Sequence, residues 1–243
     1  MKVHTRISHV TKEREIVRGH DLIPLIGTRS FVEVAWLLLR EAWPTRAQAS
    51  MFDAILVAAI DHGAAPVSSM TARAVASSGN EPHVALAAGI LAQGTLHGGA
   101  IEDAARFFLT HGREDAAKAV AEARAAGKRI AGYGHKLLAK DRRSEALFAL
   151  AKRLGTYGDH SAFAERLEAA LNAGREKPLP LNIDGAMAAA LLDMGFTPEA
   201  MRGVFALARL PGLLAHVIEE QETFRGPRRL NDDEVIYEGT TPA

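Results

Sequence analysis

The sequence predicts an all-α protein, and three observations lead to that class. Apolar residues make up 48% of the 243 residues but aromatic residues only 6%, which suits closely packed helices better than a sheet-based core. Helix-capping and helix-ending residues recur along most of the chain. Strand-like alternation is confined to residues 1–20, through Val3, Thr5, Ile7 and His9, and predicts a small hairpin or an extended arm.

Capping boxes mark the first two helices. In a capping box, a Ser or Thr and the Glu or Gln three residues later each accept a backbone hydrogen bond from the other. Ser30-Phe-Val-Glu33 has this pattern ahead of an apolar stretch to Arg40, and Thr45-Arg-Ala-Gln48 repeats it ahead of a helix to about Ile60. Asp61-His-Gly63 is predicted to end the second helix.

Prolines and glycines punctuate the rest of the chain. Pro82 opens a helix of small residues that the sequence predicts to be fully buried, and Pro211 is predicted to start the last helix. Glycines are typical helix ends. The helix after Pro82 covers 84–93, and the last helix runs from Pro211 to about Gln221. The other predicted helices are one whose first turn contains Glu102 and Asp103, 114–126, 142–154, 161–173, 184–194 and 198–209. In total the sequence predicts about ten helices and an irregular polar tail.

Composition argues against several classes of protein. The chain carries 29 Lys plus Arg and 29 Asp plus Glu, and this balance argues against general binding to nucleic acid or to a membrane. The absence of cysteine excludes disulfides, thiolate metal sites and a cysteine nucleophile. The N-terminus lacks the apolar run of a signal peptide, and no uncharged apolar stretch approaches the ~20 residues that span a bilayer. We expect a soluble, cytoplasmic protein.

Three glycine-containing stretches each carry an ionisable side chain. They are Leu96-His-Gly-Gly-Ala100, Ile130-Ala-Gly-Tyr-Gly-His-Lys136 and Leu181-Asn-Ile-Asp-Gly185. Glycine lets the backbone approach a ligand closely, and a histidine in such a turn can perform acid–base chemistry near neutral pH. Taken singly, such a histidine is more often structural, and Asp184 could simply cap the helix 185–194.

Several common motifs are absent. Tyr133 follows Gly132 where a phosphate-binding P-loop requires Lys, and Leu137 occupies the third glycine position of a dinucleotide-binding fingerprint. No two histidines flank a glutamate at the spacing of a zincin, and there is no Gly-x-Ser-x-Gly elbow.

Seven ordered motifs resemble the citrate synthase superfamily over about residues 14–240. They are Asp61-His-Gly63, Thr71-Ala-Arg-Ala-Val-Ala76, Leu96-His-Gly-Gly-Ala100, Gly132-Tyr-Gly-His135, Asp141-Arg-Arg143, Asn182-Ile-Asp184 and Leu207-Ala-Arg209-Leu-Pro-Gly212-Leu-Leu-Ala-His216. The stretch from Arg40 to Asp61 is too short for the several helices that full citrate synthases have there. Gly185 also stands where those enzymes usually have a bulky aromatic residue. Both features are similar to the citryl-CoA lyases and the lyase module of ATP-citrate lyase.

The resemblance implies a fold and an assembly. It implies an all-α citrate synthase-like fold made of one unit, 1–243, with a small lobe that closes over the active site. Residues 1–100 with 209–243 would form a reduced large lobe, and residues 101–208 would form the small lobe. The family works as a dimer, so a homodimer with shared active sites is implied.

The resemblance also implies the chemistry, cleavage of citryl-CoA into acetyl-CoA and oxaloacetate. His135 matches the base that takes the proton of the tertiary hydroxyl. His97 matches the neutral imidazole that donates a hydrogen bond to the enolate oxygen. Asp184 matches the acid that protonates the enol carbon.

The remaining implied roles concern ligand binding. The resemblance assigns His62, Arg143 and Arg209 to the oxaloacetate carboxylates, for which arginine's planar fork is suited. Arg228 matches an arginine that enters the partner subunit's site, although Arg229 is adjacent. The lysines that we assign to the phosphates of coenzyme A are Lys136, Lys140 and Lys177.

Two rival functions fit the same residues. A minimal synthase would condense acetyl-CoA with oxaloacetate or another 2-oxoacid and then hydrolyse the thioester. A non-catalytic homologue would bind an acyl-CoA and regulate a partner, although the presence of His97, His135 and Asp184 argues against it. The lyase is expected to work without a metal, and coenzyme A would take part as a thioester.

Overall fold

The computed structural model describes residues 2–112, 114–134, 140–223 and 226–240. Over these residues the protein is mostly helical, as the sequence predicts. The helices are α1 (Phe31–Arg40), α2 (Arg46–Ala58), α3 (Val67–Ser77), α4 (Pro82–Leu91), α5 (Ala100–His111), α6 (Ala116–Ala125), α7 (Arg142–Leu154), α8 (Asp159–Asn172), α9 (Ile183–Asp193) and α10 (Pro198–Thr223). Short 3-10 turns lie at Ile23–Leu25 and Asp232–Glu234.

The strands form a small antiparallel sheet near the N-terminus, which confirms the predicted hairpin. They are β1 (Ser8–Val10), β2 (Glu15–Val17) and β3 (His20–Asp21), in the order β1-β2-β3. Ser8 pairs with Val17, and Val17 also pairs with His20 across the turn at Arg18 and Gly19. Both turn residues have positive φ, at 47° and 81°.

Both predicted capping boxes are present. Glu33 N donates to Ser30 Oγ at 3.2 Å, and Ser30 N donates to Glu33 Oε2 at 2.9 Å. The same exchange joins Gln48 and Thr45 at 3.2 and 2.9 Å. These bonds satisfy backbone groups that a helix start otherwise leaves unpaired, so α1 and α2 begin where the sequence predicts.

Helix α3 is an element that the sequence reasoning missed. Its stretch Val67-Ser-Ser-Met-Thr71 contains β-branched residues and serines, which are poor helix formers. The helix nevertheless buries Ser68, Ala72, Arg73 and Ala76 on one face and packs against α4. Tertiary packing therefore outweighs the weak local preference.

Pro211 does not start a new helix, and the predicted break before it is wrong. Helix α10 runs through Pro211 for 26 residues. A proline inside a helix costs about 3 kcal/mol because it removes one hydrogen bond and crowds the preceding turn. The buried side chains continue at helical spacing on both sides, with Val204 and Ala208 before the proline and Leu213 and Val217 after it. Burial of this long stripe compensates for the defect.

Helix α4 is less buried than the sequence predicts, and helix α10 is the longest apolar helix among the described residues. Helix α4 is not fully buried, because only Ala85 and Gly89 are buried and Leu91 is 83% exposed. Helix α10 is long and apolar enough, by length and composition alone, to cross a bilayer. It carries buried Arg209 and Glu220, and such a partly buried helix is what the core of a soluble protein also contains.

The chain divides into two compact units. Unit 1 comprises Met1–Ala59 and Gly98–Ala208, and unit 2 comprises Ile60–His97 and Arg209–Ala243. The boundaries of these units differ from those of the large and small lobes that the resemblance implies. The two lobes and their closure over a ligand stay predictions.

Each unit has its own core. In unit 1, α9 is buried on nearly all sides from Ile183 to Leu192 and packs against α5, α7 and α8. A helix that is apolar all round belongs at the centre of its fold. In unit 2, a smaller cluster joins α3, α4 and the end of α10 through Ala72, Ala85 and Leu213.

Candidate active site

Asp184 lies in the first turn of α9, in unit 1, and is half-buried. The cap of this helix is Asn182, whose Oδ1 accepts a hydrogen bond from Gly185 N at 3.1 Å. The alternative interpretation, in which Asp184 only caps a helix, is therefore wrong, because Asn182 performs that task. A carboxyl group at the start of a central, buried helix is well placed for proton transfer.

The loop before His135 is fastened to the start of α9. Gly134 N donates to Pro180 O at 2.7 Å, Asn182 N donates to Gly132 O at 3.0 Å, and Asn182 Nδ2 donates to Gly134 O at 3.1 Å. Gly132 and Gly185 face each other so closely that a Cβ on Gly185 would lie 2.5 Å from Gly132 O. This contact explains why positions 132 and 185 are glycines. His135 and Lys136 themselves lie outside the described residues.

Arg143 is held by Asp141 at the start of α7. Asp141 is 2% exposed, and its carboxylate accepts hydrogen bonds from Arg143 Nε at 3.0 Å and Nη2 at 2.8 Å. It also accepts from Ile183 N, the first backbone amide of α9, at 3.0 Å. Burial raises the pKa of Asp141, but the hydrogen bonds and charge of Arg143 outweigh it and keep the pKa below its usual value.

His97 belongs to unit 2 and is held on two sides. Its backbone exchanges hydrogen bonds with Gly94 at 2.8 and 3.1 Å, and its Nε2 lies 2.9 Å from Ser68 Oγ on α3. Burial first, and then the positive charge of Arg209, lower the pKa of His97 below 6.5. The imidazole is therefore neutral at pH 7, which is the form that can donate a hydrogen bond without first losing a proton.

The turn that carries His62 is fixed by Asp61. Gly63 N donates to Asp61 Oδ2 at 2.8 Å, and His216 Nε2 lies 3.1 Å from Asp61 Oδ1. Burial opposes ionisation of Asp61, but hydrogen bonds from the turn and from His216 hold its pKa below the usual value. The other ring nitrogen of His216 lies 3.4 Å from Arg73 Nη1. This network leaves the His62 turn anchored to α10.

Two predicted arginines also belong to unit 2. Arg209 on α10 is 5% exposed. Arg228 makes a bidentate pair with Glu220, with Nε at 2.5 Å and Nη2 at 2.8 Å from its oxygens. Glu220 is fully buried and also binds Arg73 Nε at 2.7 Å. Arg228 therefore engages a carboxylate of its own chain, and reaching a partner subunit would require it to exchange that carboxylate for another.

The predicted coenzyme A lysines are on the surface where they are described. Lys140 is exposed, with its Nζ 3.4 Å from Glu145, and Lys177 is exposed beyond α8. Within the described residues, one group of side chains has ligand atoms close enough for a metal ion, at 4.8 Å or less, and consists of His111, Glu114 and Glu122. It includes none of the predicted catalytic residues.

Sequence reasoning missed Ser68 and the role of Asp141. A serine in a Ser-Ser pair gives no signal of its own, because only the fold brings it to His97. Asp141 stands next to the predicted arginine in one motif, and its position at a helix start predicts a cap. Its hydrogen bond to Ile183, 42 residues further on, has no sequence signal.

The model of the family described as "Citrate synthase, C-terminal domain" matches residues 46–229. The chain belongs to this family. It is 39% identical to the citryl-CoA lyase of Hydrogenobacter thermophilus, with a TM-score of 0.94 over 99% of this chain and 96% of that one.

Other relatives are longer than this chain. The citrate synthase of Haloferax volcanii is 31% identical over 86% of this chain and 56% of its own length. The chain spans about half the length of the curated citrate synthases it matches. The ATP citrate lyase of Methanothrix soehngenii, at 24% identity and a TM-score of 0.87, covers 100% of this chain with 42% of its own and shares the fold.

Proposed function

We propose that this protein is a cytoplasmic citryl-CoA lyase that cleaves (3S)-citryl-CoA into acetyl-CoA and oxaloacetate. The observation that carries the proposal is the similarity to a citryl-CoA lyase over nearly the whole of both chains. Gly185 beside Asp184 agrees with this choice over a full synthase, because its backbone contact with Gly132 leaves no room for an aromatic side chain.

The proposed reaction is a retro-Claisen cleavage. A base removes the proton of the tertiary hydroxyl, the carbonyl of oxaloacetate forms as the carbon–carbon bond breaks, and the bonding electrons pass to the thioester as an enolate. A proton delivered to the enolate carbon completes acetyl-CoA. We assign His135 as the base, His97 as the hydrogen-bond donor to the enolate oxygen and Asp184 as the acid.

The surroundings of His97 support its assignment. Its lowered pKa keeps the ring neutral. With Ser68 on Nε2, the ring nitrogen that would serve the thioester oxygen is Nδ1. A neutral donor suits an enolate because the proton stays on the imidazole while the charge develops.

Oxaloacetate is a dianion, so its binding requires positive donors. We assign His62, Arg143 and Arg209 to this task. An arginine that is shielded from water can bind a carboxylate with two parallel hydrogen bonds. Arg209 is shielded in this way, because only 5% of its surface is exposed. Lys136, Lys140 and Lys177 are proposed to contact the phosphates of coenzyme A.

A homodimer is the proposed assembly. Unit 2 exposes apolar side chains that a soluble protein normally covers. They are Val67, Met70, Val84, Leu91, Leu96, Leu214 and Ile218. Pairing of two copies about a two-fold axis would bury the same patch twice. Either Arg228 or Arg229 then contributes to the partner subunit's site.

Product analysis separates the lyase from its rivals. The purified protein is given citryl-CoA, and acetyl-CoA and oxaloacetate are quantified together with citrate and free CoA. A lyase gives acetyl-CoA and oxaloacetate in equal amounts. A synthase that hydrolyses the thioester would release free CoA with citrate, and a regulatory homologue would bind without turnover. Either of the latter outcomes contradicts the proposal.

Subunit mixing tests the shared site. Arg143→Ala and Arg228→Ala homodimers are each expected to be nearly inactive, and a mixed dimer is expected to regain about one working site. Arg229→Ala mixed with Arg143→Ala is the matched experiment. The crossing arginine is the one whose alanine homodimer is inactive and regains activity when it is mixed with Arg143→Ala, whereas the other tail variant is active on its own. No recovery with either, despite proven mixed dimers, contradicts sharing.

A further inference from the structure

Asp141 joins two parts of the proposed site through one buried carboxylate. Its Oδ1 accepts from Arg143 N at 3.1 Å and Nε at 3.0 Å, and its Oδ2 accepts from Arg143 Nη2 at 2.8 Å and Ile183 N at 3.0 Å. The Asp141 side chain is 1% exposed, whereas that of Arg143 is 31% exposed. The carboxylate thus lies beneath an arginine that a ligand can still reach.

The geometry at Arg143 determines which edge of its guanidinium meets a ligand. Asp141 occupies the side edge, formed by Nε and Nη2. The end edge, formed by the two Nη groups, is directed away from that carboxylate and has the spacing that binds a second carboxylate with two parallel hydrogen bonds. An arginine side chain has several rotamers, and its contacts with Asp141 select one before a ligand arrives.

The bond to Ile183 ties the same carboxylate to the catalytic helix. Ile183 is the first residue of α9, and Asp184 is the next. The amides of a helix start carry positive charge that a carboxylate stabilises. The two oxygens of Asp141 therefore connect the arginine and the first turn of α9 without an intervening side chain.

We propose that Asp141 is a positioning residue, which fixes the end edge of Arg143 relative to the first turn of α9. A substrate carboxylate bound by Arg143 is thereby placed against Asp184. The inference rests on the proposed function, because it assumes that Arg143 binds a carboxylate of oxaloacetate. The pKa of Asp141 lies below its usual value, so the carboxyl group is ionised at neutral pH. An ionised carboxylate can accept hydrogen bonds from all four donors.

Asp141→Asn is the decisive substitution. Asparagine still caps a helix, so α7 is expected to keep its start. It offers one acceptor oxygen, however, and its amide group would face donors of Arg143 or Ile183. We expect oxaloacetate to bind about 10–100-fold more weakly by calorimetry. We expect kcat for citryl-CoA to fall as well, while the affinity for coenzyme A alone stays within about 2-fold of the wild type, a spread that surface changes typically show.

Two further measurements show whether Asp141→Asn acts through Arg143 or only lowers the stability of the protein. Asp115 caps α6 through Ala117 N at 2.8 Å and Lys118 N at 3.1 Å. Among the residues that the structure describes, its hydrogen bonds come from backbone amides, so Asp115→Asn makes the same chemical change at a cap of that kind. It is expected to leave binding and turnover unchanged. In an Arg143→Ala background, Asp141→Asn is expected to weaken oxaloacetate binding by less than about 3-fold, since coupled residues are not additive.

The outcomes distinguish this inference from the proposed function. A wild-type protein that neither binds oxaloacetate nor cleaves citryl-CoA refutes the proposed function. A wild type that does both, with an Asp141→Asn variant that matches it, refutes the inference alone. An equal loss with and without Arg143 also refutes it. If Asp141→Asn does not fold, Asp141→Ser, which keeps a capping hydroxyl but only one oxygen, is measured against the same criteria.

Discussion

Because Gly132 and Gly185 are in close contact, we expect that adding one methyl group at position 185 lowers kcat strongly and lowers stability. In a Gly185→Ala variant the new Cβ would lie 2.5 Å from Gly132 O, 2.7 Å from Leu181 Cδ1 and 3.0 Å from Gly132 Cα, whereas ordinary contact begins at 3.4 Å. The nearest of these atoms is backbone, so the loop and α9 must separate by about 1 Å, and overpacking of this kind costs roughly 1–3 kcal/mol.

The displacement is expected to change both the free energy of unfolding and kcat. Alanine favours a helix over glycine by about 1 kcal/mol, so the net loss is about 0–2 kcal/mol and Tm falls by up to roughly 8 °C. A displacement of about 1 Å between the loop that leads to His135 and the helix of Asp184 lowers kcat by roughly 10²-fold if both act on one substrate. Thermal unfolding and citryl-CoA turnover measure the two effects.

Gly203→Ala is the matched control. Gly203 also lies in a helix, but a Cβ there meets no atom within 4 Å. The control is expected to raise stability by up to about 1 kcal/mol and to leave kcat unchanged. A Gly185→Ala variant with the Tm and kcat of the wild type would refute the reasoning about this contact.

Three further predictions follow from single contacts. Ser68→Ala removes the hydrogen bond to His97 Nε2, so kcat should fall by about 3–10-fold with Tm nearly unchanged; an unchanged kcat would exclude Ser68 from orienting the ring. Asp193→Asn weakens three backbone hydrogen bonds, from Gly158, His160 and Ser161 at 2.9–3.0 Å, so stability should fall by about 1–2 kcal/mol with kcat retained. The pKa of His97 is below 6.5 in the folded protein, so between 6.5 and that lowered pKa the unfolded chain binds the proton more tightly. As the pH falls through this window, the protein loses the stability contribution of the neutral ring, and below it the ring itself becomes charged. An NMR titration of the ring, assigned with His97→Gln, checks this; a midpoint above 6.5 would contradict it.

Much of the helical fold was predictable because its signals are local. The capping boxes at Ser30 and Thr45 and the glycine after α7 act through residues three or four positions away. Helix α3 and the continuity of α10 through Pro211 were not predictable in this way. Both depend on burial against residues distant in sequence, which outweighs serine-rich composition in one case and a missing hydrogen bond in the other.

The candidate site was predictable to the level of motifs but not of contacts. The ordered motifs identified the family and nominated Asp184, His97 and Arg143. That Asn182 caps α9 instead of Asp184, and that Asp141 holds Arg143, follow from distances between segments. The roles of the nominated residues stay predictions, and His135 lies outside the described residues.

Turnover of citryl-CoA by Asp184→Asn is the sharpest test of the proposed mechanism. Asparagine keeps the size of the side chain but cannot deliver a proton, so kcat should fall by about 10²–10⁴-fold, the usual contribution of a general acid. Asp103→Asn, in the first turn of α5, is the matched control and should behave as the wild type. We expect equal amounts of acetyl-CoA and oxaloacetate from the wild type, and an Asp184→Asn variant that binds citryl-CoA but scarcely cleaves it. A wild type that does not cleave citryl-CoA, or an Asp184→Asn variant that cleaves it at the wild-type rate, would contradict the proposed mechanism.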